Sequence, residues 1–344
     1  MPVLSASDLT SFATDLLVAG GFTRAEATQM ADLLVWANLR GTDSHGVLRI
    51  PRYLEMLRSG AVKAGADPEL VQSFGAVQVI DGGKGPGAVG MNAAAARAAD
   101  LAWQFGVGIC AARAISHAGA VGYFGERLAA QGLIGMIMTA SKPLMSYYGA
   151  AGEALSTNPI AISVPVPGAA PITFDMSTAA VALGKVMAAK DAGRPLEPGW
   201  AVDETGAETL DPQRVAALLP MAGAKGSGLS LMIEVLSSVL VGNAVIAPVL
   251  MGQKKGGYNG LVIALSPEAF GPREIFDAGI ADLKSAISAL PPAAGFDQVR
   301  LPGARGTETA VKRLASGIPL AEGTWKRLSA EAANLNVPLP VPLG

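Results

Sequence analysis

Apolar residues recur at helical spacing through the first forty positions, at Leu9, Phe12, Leu16 and Leu17 and then at Ala27, Met30, Leu33, Leu34 and Ala37. That spacing places one apolar stripe on each of two helices. Ser5 followed by Asp8, and Thr23 followed by Glu26, supply side-chain acceptors for the two helix starts, and Gly20-Gly21 separates them. Pro51, with its fixed φ, suits the first turn of a third helix. From about Val77 the period changes. Short apolar runs, "VQVID", "GVGICAA", "IGMIMTA", "AISVPV", "ITFDMS" and "GLVIAL", read as strands, with helical segments near 88–105, 120–131, 228–240, 272–290 and 321–335. The stretch 190–213 is polar and acidic and reads as a long loop with little core. No internal repeat is visible. The pattern predicts an α/β, or α+β-like, protein with a helical N-terminal part.

Composition narrows the class. The chain has 344 residues, half of them hydrophobic and 16% charged, with a formal charge of −2. That supports a large core and two domains and excludes disorder. Without a basic run, no nucleic-acid partner is expected. Cys110, the single cysteine, lies in an apolar run and reads as a buried, inert thiol, and the start of the chain lacks a signal-peptide pattern. Both suit a reducing, cytoplasmic setting. Val235–Gly252 has the hydropathy of a membrane span, but Glu234 opens it and Gly242, Asn243 and Pro248 interrupt it. A buried core helix followed by a loop is expected there, and no membrane partner.

Gly85-Pro-Gly-Ala-Val-Gly90 matches G-x-G-x-x-G between a strand and a helix. Pro86 removes an N–H where a pyrophosphate needs a donor, the turn is lengthened by Gly82 to Lys84, and no acid ends the next strand. Close packing of a small-residue helix is the better reading. The two histidines draw attention instead. His45 stands in "RGTDSHGVLR" and His117 in "ISHAGAVGYF", both beside serine and glycine at element ends. Asp175 ends the run "ITFD", where sites of α/β proteins form, and such an acid can orient an imidazole. Lys225 in "AGAKGSGLS" opens a helix and suits an anion. No metal-ligand spacing is present, so no metal is expected. A Ser44-His45-Asp175 hydrolase is possible by inventory. Adjacent serine and histidine are expected to point apart, however, and no G-x-S-x-G elbow exists.

Seven co-linear blocks, among them "RGTDSHGVLRIPRY", "SHAGAVGYF", "STNPIAISVP", "ITFDMSTAAVALGKV" and "LPGARGTE", resemble the malate/L-lactate dehydrogenase family that is unrelated to Rossmann-type enzymes. "SHAGAVGYF", "ITFDMST" and "WAVD" look most like its ureidoglycolate dehydrogenase branch. The resemblance implies a non-Rossmann NAD(P)-binding domain on a largely antiparallel sheet, over 116–299, with a helical N-terminal and substrate domain over 1–115 and 300–344. It implies an NAD- or NADP-dependent oxidoreductase, with NAD favoured by the branch, acting as a homodimer on a small 2-oxo or 2-hydroxy acid or a cyclic 2-imino acid. By motif, His45 matches the proton donor, with Ser44 beside it and Asp175 as its partner, and His117 matches either an acid/base or a cofactor contact. Arg49 would hold the substrate carboxylate, with Thr157 and Tyr148 also at the substrate. The cofactor would run along His117, Ala118, Gly119, Ala120 and Val121, Ser141, Ile172, Thr173, Phe174, Asp175, Met176 and Ser177, Ala224 and Lys225, and Gly303, Ala304 and Arg305. The chain departs from the family at this last loop, where an acid often follows the glycine. It departs again at "MGQKKGGYNGLVIAL" and at Tyr147-Tyr148, so substrate choice does not carry over. A non-catalytic nucleotide-binding role on the same fold stays open.

Overall fold

The computed structural model describes residues 1–191, 193–253 and 257–343; part of the departing "MGQKKGGYNG" segment, Lys254 to Gly256, lies outside the described residues. The chain opens with β1 (Val3–Leu4), α1 (Ala6–Ala19) and α2 (Arg24–Leu39). Ser5 accepts the Asp8 N–H at 3.0 Å, and the Thr23–Glu26 capping box is complete. Two 3-10 turns, Asp43–His45 and Val47–Arg49, lead into α3 (Ile50–Arg58), with Pro51 in its first turn. Then come β2 (Glu69–Phe74), β3 (Val77–Asp81), α4 (Gly87–Phe105), β4 (Val107–Ile115), α5 (Gly122–Ala129), β5 (Ile134–Ala140), β6 (Ile160–Val164) and β7 (Ile172–Met176). The second half holds α6 (Leu183–Asp191), β8 (Ala201–Val202), β9 (Ala217–Leu218), α7 (Ala224–Glu234), α8 (Ile246–Leu250) and β10 (Tyr258–Leu265). It closes with α9 (Arg273–Ser288), α10 (Ala304–Ser316), β11 (Ile318–Pro319) and α11 (Glu322–Leu335).

A seven-stranded sheet runs in the order β2-β3-β4-β10-β5-β6-β7. Every neighbouring pair is antiparallel except β3–β4, which is parallel and bridged by α4. The sheet draws strands from both sides of residue 115. The small residues of α4 let it lie against the sheet: a Cβ at Gly108 would meet the Ala98 carbonyl at 1.9 Å, and one at Gly260 would meet Met91 Sδ at 2.2 Å. The glycine fingerprint serves the same packing. A Cβ on Gly87 would stand 2.4 Å from the Ser116 and His117 carbonyl oxygens, and one on Gly90 2.4 Å from Ile115. The main core joins this face of the sheet to α1, α2, α3, α5 and α11 through fully buried residues such as Leu9, Leu34, Leu54, Phe124 and Leu328. A smaller core, including Met145, Leu155, Val181, Leu196 and Leu218, forms a second lobe.

Four expectations are corrected. The helix expected from Gly228 starts at Ala224 and passes into a π turn over Val235–Val239. The Val235–Gly252 stretch is not a buried helix. Ser237 and Ser238 point inward while Leu240 is 69% exposed, because Ser238 accepts a bond from buried Asn259 and Glu234 accepts the Val245 and Ile246 N–H groups. Among the described residues no helix is long and apolar enough to cross a membrane. The 190–213 stretch carries core after all, burying Leu196, Ala201 and Val202, and the late Gly303–Arg305 loop is the start of α10.

Candidate active site

A cleft of about 880 Å³ opens between the end of α2, the 42–49 turns, the segment after β4, the ends of β5 and β7, and the start of α10. It is near the upper end of the roughly 300–1,000 Å³ range of small-molecule sites.

The His45 turn is clamped from beneath. Asn38, at the end of α2, accepts the Val47 N–H at 2.8 Å and donates to Asp43 at 2.6 Å. Arg313 of α10 grips Asp43 with two bonds, at 2.7 and 3.1 Å, and also donates to the Asn38 carbonyl. Gly46 is required at this crossing, since a Cβ there would lie 2.2 Å from Asn38 Oδ1. In a 3-10 turn successive side chains are about 120° apart, not opposed as in a strand. Ser44 Oγ therefore reaches His45 Nδ1 at 3.0 Å, which corrects the expectation that the two diverge. Arg49 Nε donates to the Ser44 carbonyl at 2.7 Å, so the guanidinium sits at the same wall.

His117 follows β4. Its ring stacks on that of His45 at 5.7 Å between centroids and 22° between planes. Tyr258, at the start of β10, meets it edge-on at 5.5 Å. Tyr53 Oη lies 2.8 Å from His117 Nδ1, and the Gly119 N–H donates to the same nitrogen at 3.2 Å. Burial, with a smaller effect from Arg49, lowers the His45 pKa to about 4. Burial, then His45 and Arg49, hold His117 well below the usual histidine range. Both rings are neutral near pH 7.

Asp175 stands at the end of β7, open to the cleft it lines yet crowded by the surrounding wall. Burial pushes its pKa up to about 6, against the Gly122 N–H and Arg40, which favour the charged form. Its Oδ2 accepts the Gly122 N–H at 3.0 Å. The partnership expected between Asp175 and His45 is thus replaced: Ser44 holds the imidazole, and a backbone donor takes the carboxylate. On the same side Arg40 pairs with Glu126 at 3.1 Å, lies over Trp36 and donates to the Gly303 carbonyl at 3.1 Å, tying α2, α5 and α10 together.

The remaining expected residues divide clearly. Ser44, His45, Arg49, His117 to Val121, Ser141, Thr157, Thr173 to Ser177, Gly303 and Arg305 all line the cleft. Gly119 and Gly303 sit at positive φ, and a Cβ at Gly303 would meet the Thr173 carbonyl at 2.8 Å. Ile172 and Ala304 adjoin the lining without belonging to it. Tyr148, Ala224 and Lys225 lie elsewhere. Met145 is locked by bridges to Leu155 and Leu218, and beyond it Tyr148 is 60% exposed, with its N–H on Ser227 and its ring against Gly223 at the start of α7. Sequence reasoning missed Tyr53, Tyr258, Arg40 and Arg313. The first two lie inside the quoted blocks "RGTDSHGVLRIPRY" and "MGQKKGGYNGLVIAL" with no role assigned there, and only the fold brings them to His117.

A mostly antiparallel α/β sheet, with a long cleft walled by glycine, small hydroxyl side chains and two imidazoles, is that of a non-Rossmann oxidoreductase. The chain belongs to the malate/L-lactate dehydrogenase family, whose sequence profile matches residues 4–329. It is 32% identical to the ureidoglycolate dehydrogenase (NAD(+)) of Escherichia coli (strain K12) over 336 residues, covering 96% of this chain and 95% of the relative. It is 33% identical to a Delta(1)-pyrroline-2-carboxylate/Delta(1)-piperideine-2-carboxylate reductase of Pseudomonas syringae pv. tomato over 327 residues, 93% of each. Among solved structures, malate dehydrogenase from Entamoeba histolytica superposes with a TM-score of 0.92 at 26% identity, covering 98% of this chain and 99% of that one.

Proposed function

We propose that the protein interconverts a small 2-oxo acid, or a cyclic 2-imino acid, with the corresponding 2-hydroxy or amino acid, using NAD(P). The observation that carries this reading is the stacked His45–His117 pair beside Arg49 in one cleft. The cleft's volume, its left-handed glycines at 119 and 303 and its small-residue wall at 118–121 fit a dinucleotide, for which residues 116–299 would form most of the bed. The substrate would lie toward the part formed by 1–115 and 300–344. The nicotinamide, when bound, supplies the hydride. Reduction of a carbonyl takes one hydride at carbon and one proton at oxygen. Arg49 grips the carboxylate with its terminal nitrogens and so orients the carbonyl. Ser44 occupies His45 Nδ1 and leaves Nε2 to exchange the proton. The bound carboxylate is a negative charge beside these rings, and raises the proton affinity of His45 from its low resting value.

NAD is the cofactor to expect first, as in the ureidoglycolate relative's name. A homodimer is also part of this reading. α9 buries none of its residues and leaves Ile275 71% exposed, and the edge strand β2 presents Phe74 at 81% exposure. The buried Cys110 thiol, pushed up to about 12 by its surroundings, suits a reducing cytoplasm. The test is the nicotinamide absorbance of NADH and NADPH mixed with enzyme and a panel of 2-oxo and cyclic 2-imino acids. Consumption with at least one acid is expected. Tight nucleotide binding with no turnover across the panel would leave a binding protein instead.

A further inference from the structure

The two imidazoles lie side by side but are held by different kinds of partner, and this separates their roles. Gly119 donates to His117 Nδ1 through a backbone N–H, which is a donor in every state of the protein. Its position is fixed, because Gly119 has φ +73° and any Cβ there would lie 2.2 Å from Leu33. Nδ1 is therefore the bare nitrogen, and the ring proton sits on Nε2. Tyr53 must turn its hydroxyl hydrogen to the same lone pair at 2.8 Å. The phenol is 7% exposed and held protonated by burial, so it remains a donor. A second proton on His117 would set two N–H groups against each other. Among the described residues the charged and titratable neighbours offer no relief: His45, Arg49, Tyr53 and Tyr258 surround the ring, and none of them carries a carboxylate. His45 differs. Its Nδ1 faces the Ser44 hydroxyl, which rotates to donate or accept, so both protonation states are accommodated.

We propose that Tyr53 is a positioning residue which, with the Gly119 N–H, holds His117 as a fixed Nε2–H hydrogen-bond donor, so that His117 orients the substrate carbonyl and His45 alone exchanges the proton. The inference rests on the proposed reaction for its second half; the tautomer does not. With only two histidines in the chain, nitrogen-15 spectra of histidine-labelled protein resolve both rings, assigned through His45→Gln and His117→Gln. The expected spectrum has His117 Nδ1 bare and Nε2 protonated, unchanged from mildly acidic to mildly alkaline pH. A protonated Nδ1, or titration of that ring within the range, would overturn the assignment. In Tyr53→Phe the Nδ1 resonance should move as it loses a donor. Turnover should fall about threefold to tenfold with KM for the acid and the kinetic pKa unchanged. A Tyr53→Phe protein with an unmoved Nδ1 resonance, or with a shifted kinetic pKa, would remove Tyr53 from this role. A glutamine amide can stand in for an Nε2 donor but cannot carry a proton. His117→Gln should therefore lose less than about a hundredfold in turnover, below the loss of a whole donor. His45→Gln should lose about 10²–10⁴-fold. The reverse order would make His117 the proton carrier. If wild-type enzyme turns over no acid, the proposed reaction and the proton-exchange half fall together, while the tautomer measurement still decides Tyr53.

Discussion

An imidazole held neutral in a partly buried turn makes the fold sensitive to acid, and His45 allows that sensitivity to be isolated. Its pKa falls from 6.5 in an unfolded chain to about 4 in the fold. The folded value is the lower one, so the unfolded state binds the extra proton first. The associated stability is fully present above 6.5 and is lost as pH falls toward and through 4. At about pH 5 the unfolded imidazole is almost wholly protonated and the folded one is not, which costs the fold about 2 kcal/mol relative to pH 7. Asp175 acts in the opposite sense. Its folded pKa, raised to about 6 from 3.8, adds stability that is complete below 3.8 and fades as pH rises through 6. It is shared by wild type and variant and cancels in a comparison. His45→Asn keeps a polar group for Ser44 but has no titration. Urea unfolding of both proteins at about pH 7 and pH 5, at one protomer concentration, should show the variant losing about 2 kcal/mol less than wild type. For an m-value of about 3 kcal/mol per molar, that is roughly 0.7 M in relative midpoint. Equal losses in the two proteins would refute the claim that the fold holds His45 neutral.

Three further outcomes follow from the cleft wall. Arg49→Lys should raise KM for the acid substrate about tenfold or more with a smaller change in kcat, because an ammonium cannot make the two-pronged contact; steady-state kinetics decide this. Arg313→Gln removes the double grip on Asp43. Since Asp43 is half exposed, the cost in urea should be only about 1 kcal/mol, while turnover falls further as the His45 turn loosens. Gly46→Ala drives a Cβ toward Asn38 and should cost about 1–3 kcal/mol by the same measurement, with activity lost in step.

How much of this was legible beforehand depended on the range of the interaction involved. The caps at Ser5 and Thr23, the stripes of α1 and α2 and the six apolar strands are local signals, and they appear in the structure where the pattern put them. β2 and α10 went unread, with no core-facing residues to mark them: all six residues of β2 are exposed and α10 has no buried residue, whereas α9, equally unburied, was marked by apolar residues at helical spacing. Glycine, serine and histidine at element ends, which the motifs singled out, converge on one cleft. They did not mark the partners. Asp43 meets Arg313 across 270 positions and His117 meets Tyr53 across 64, and no spacing rule encodes such pairs. Nor did residue type separate the two histidines. An imidazole beside a serine hydroxyl and an imidazole beneath a backbone N–H have the same one-letter code and different proton chemistry. That distinction is created by the fold, through a 3-10 turn at 43–45 and a left-handed glycine at 119.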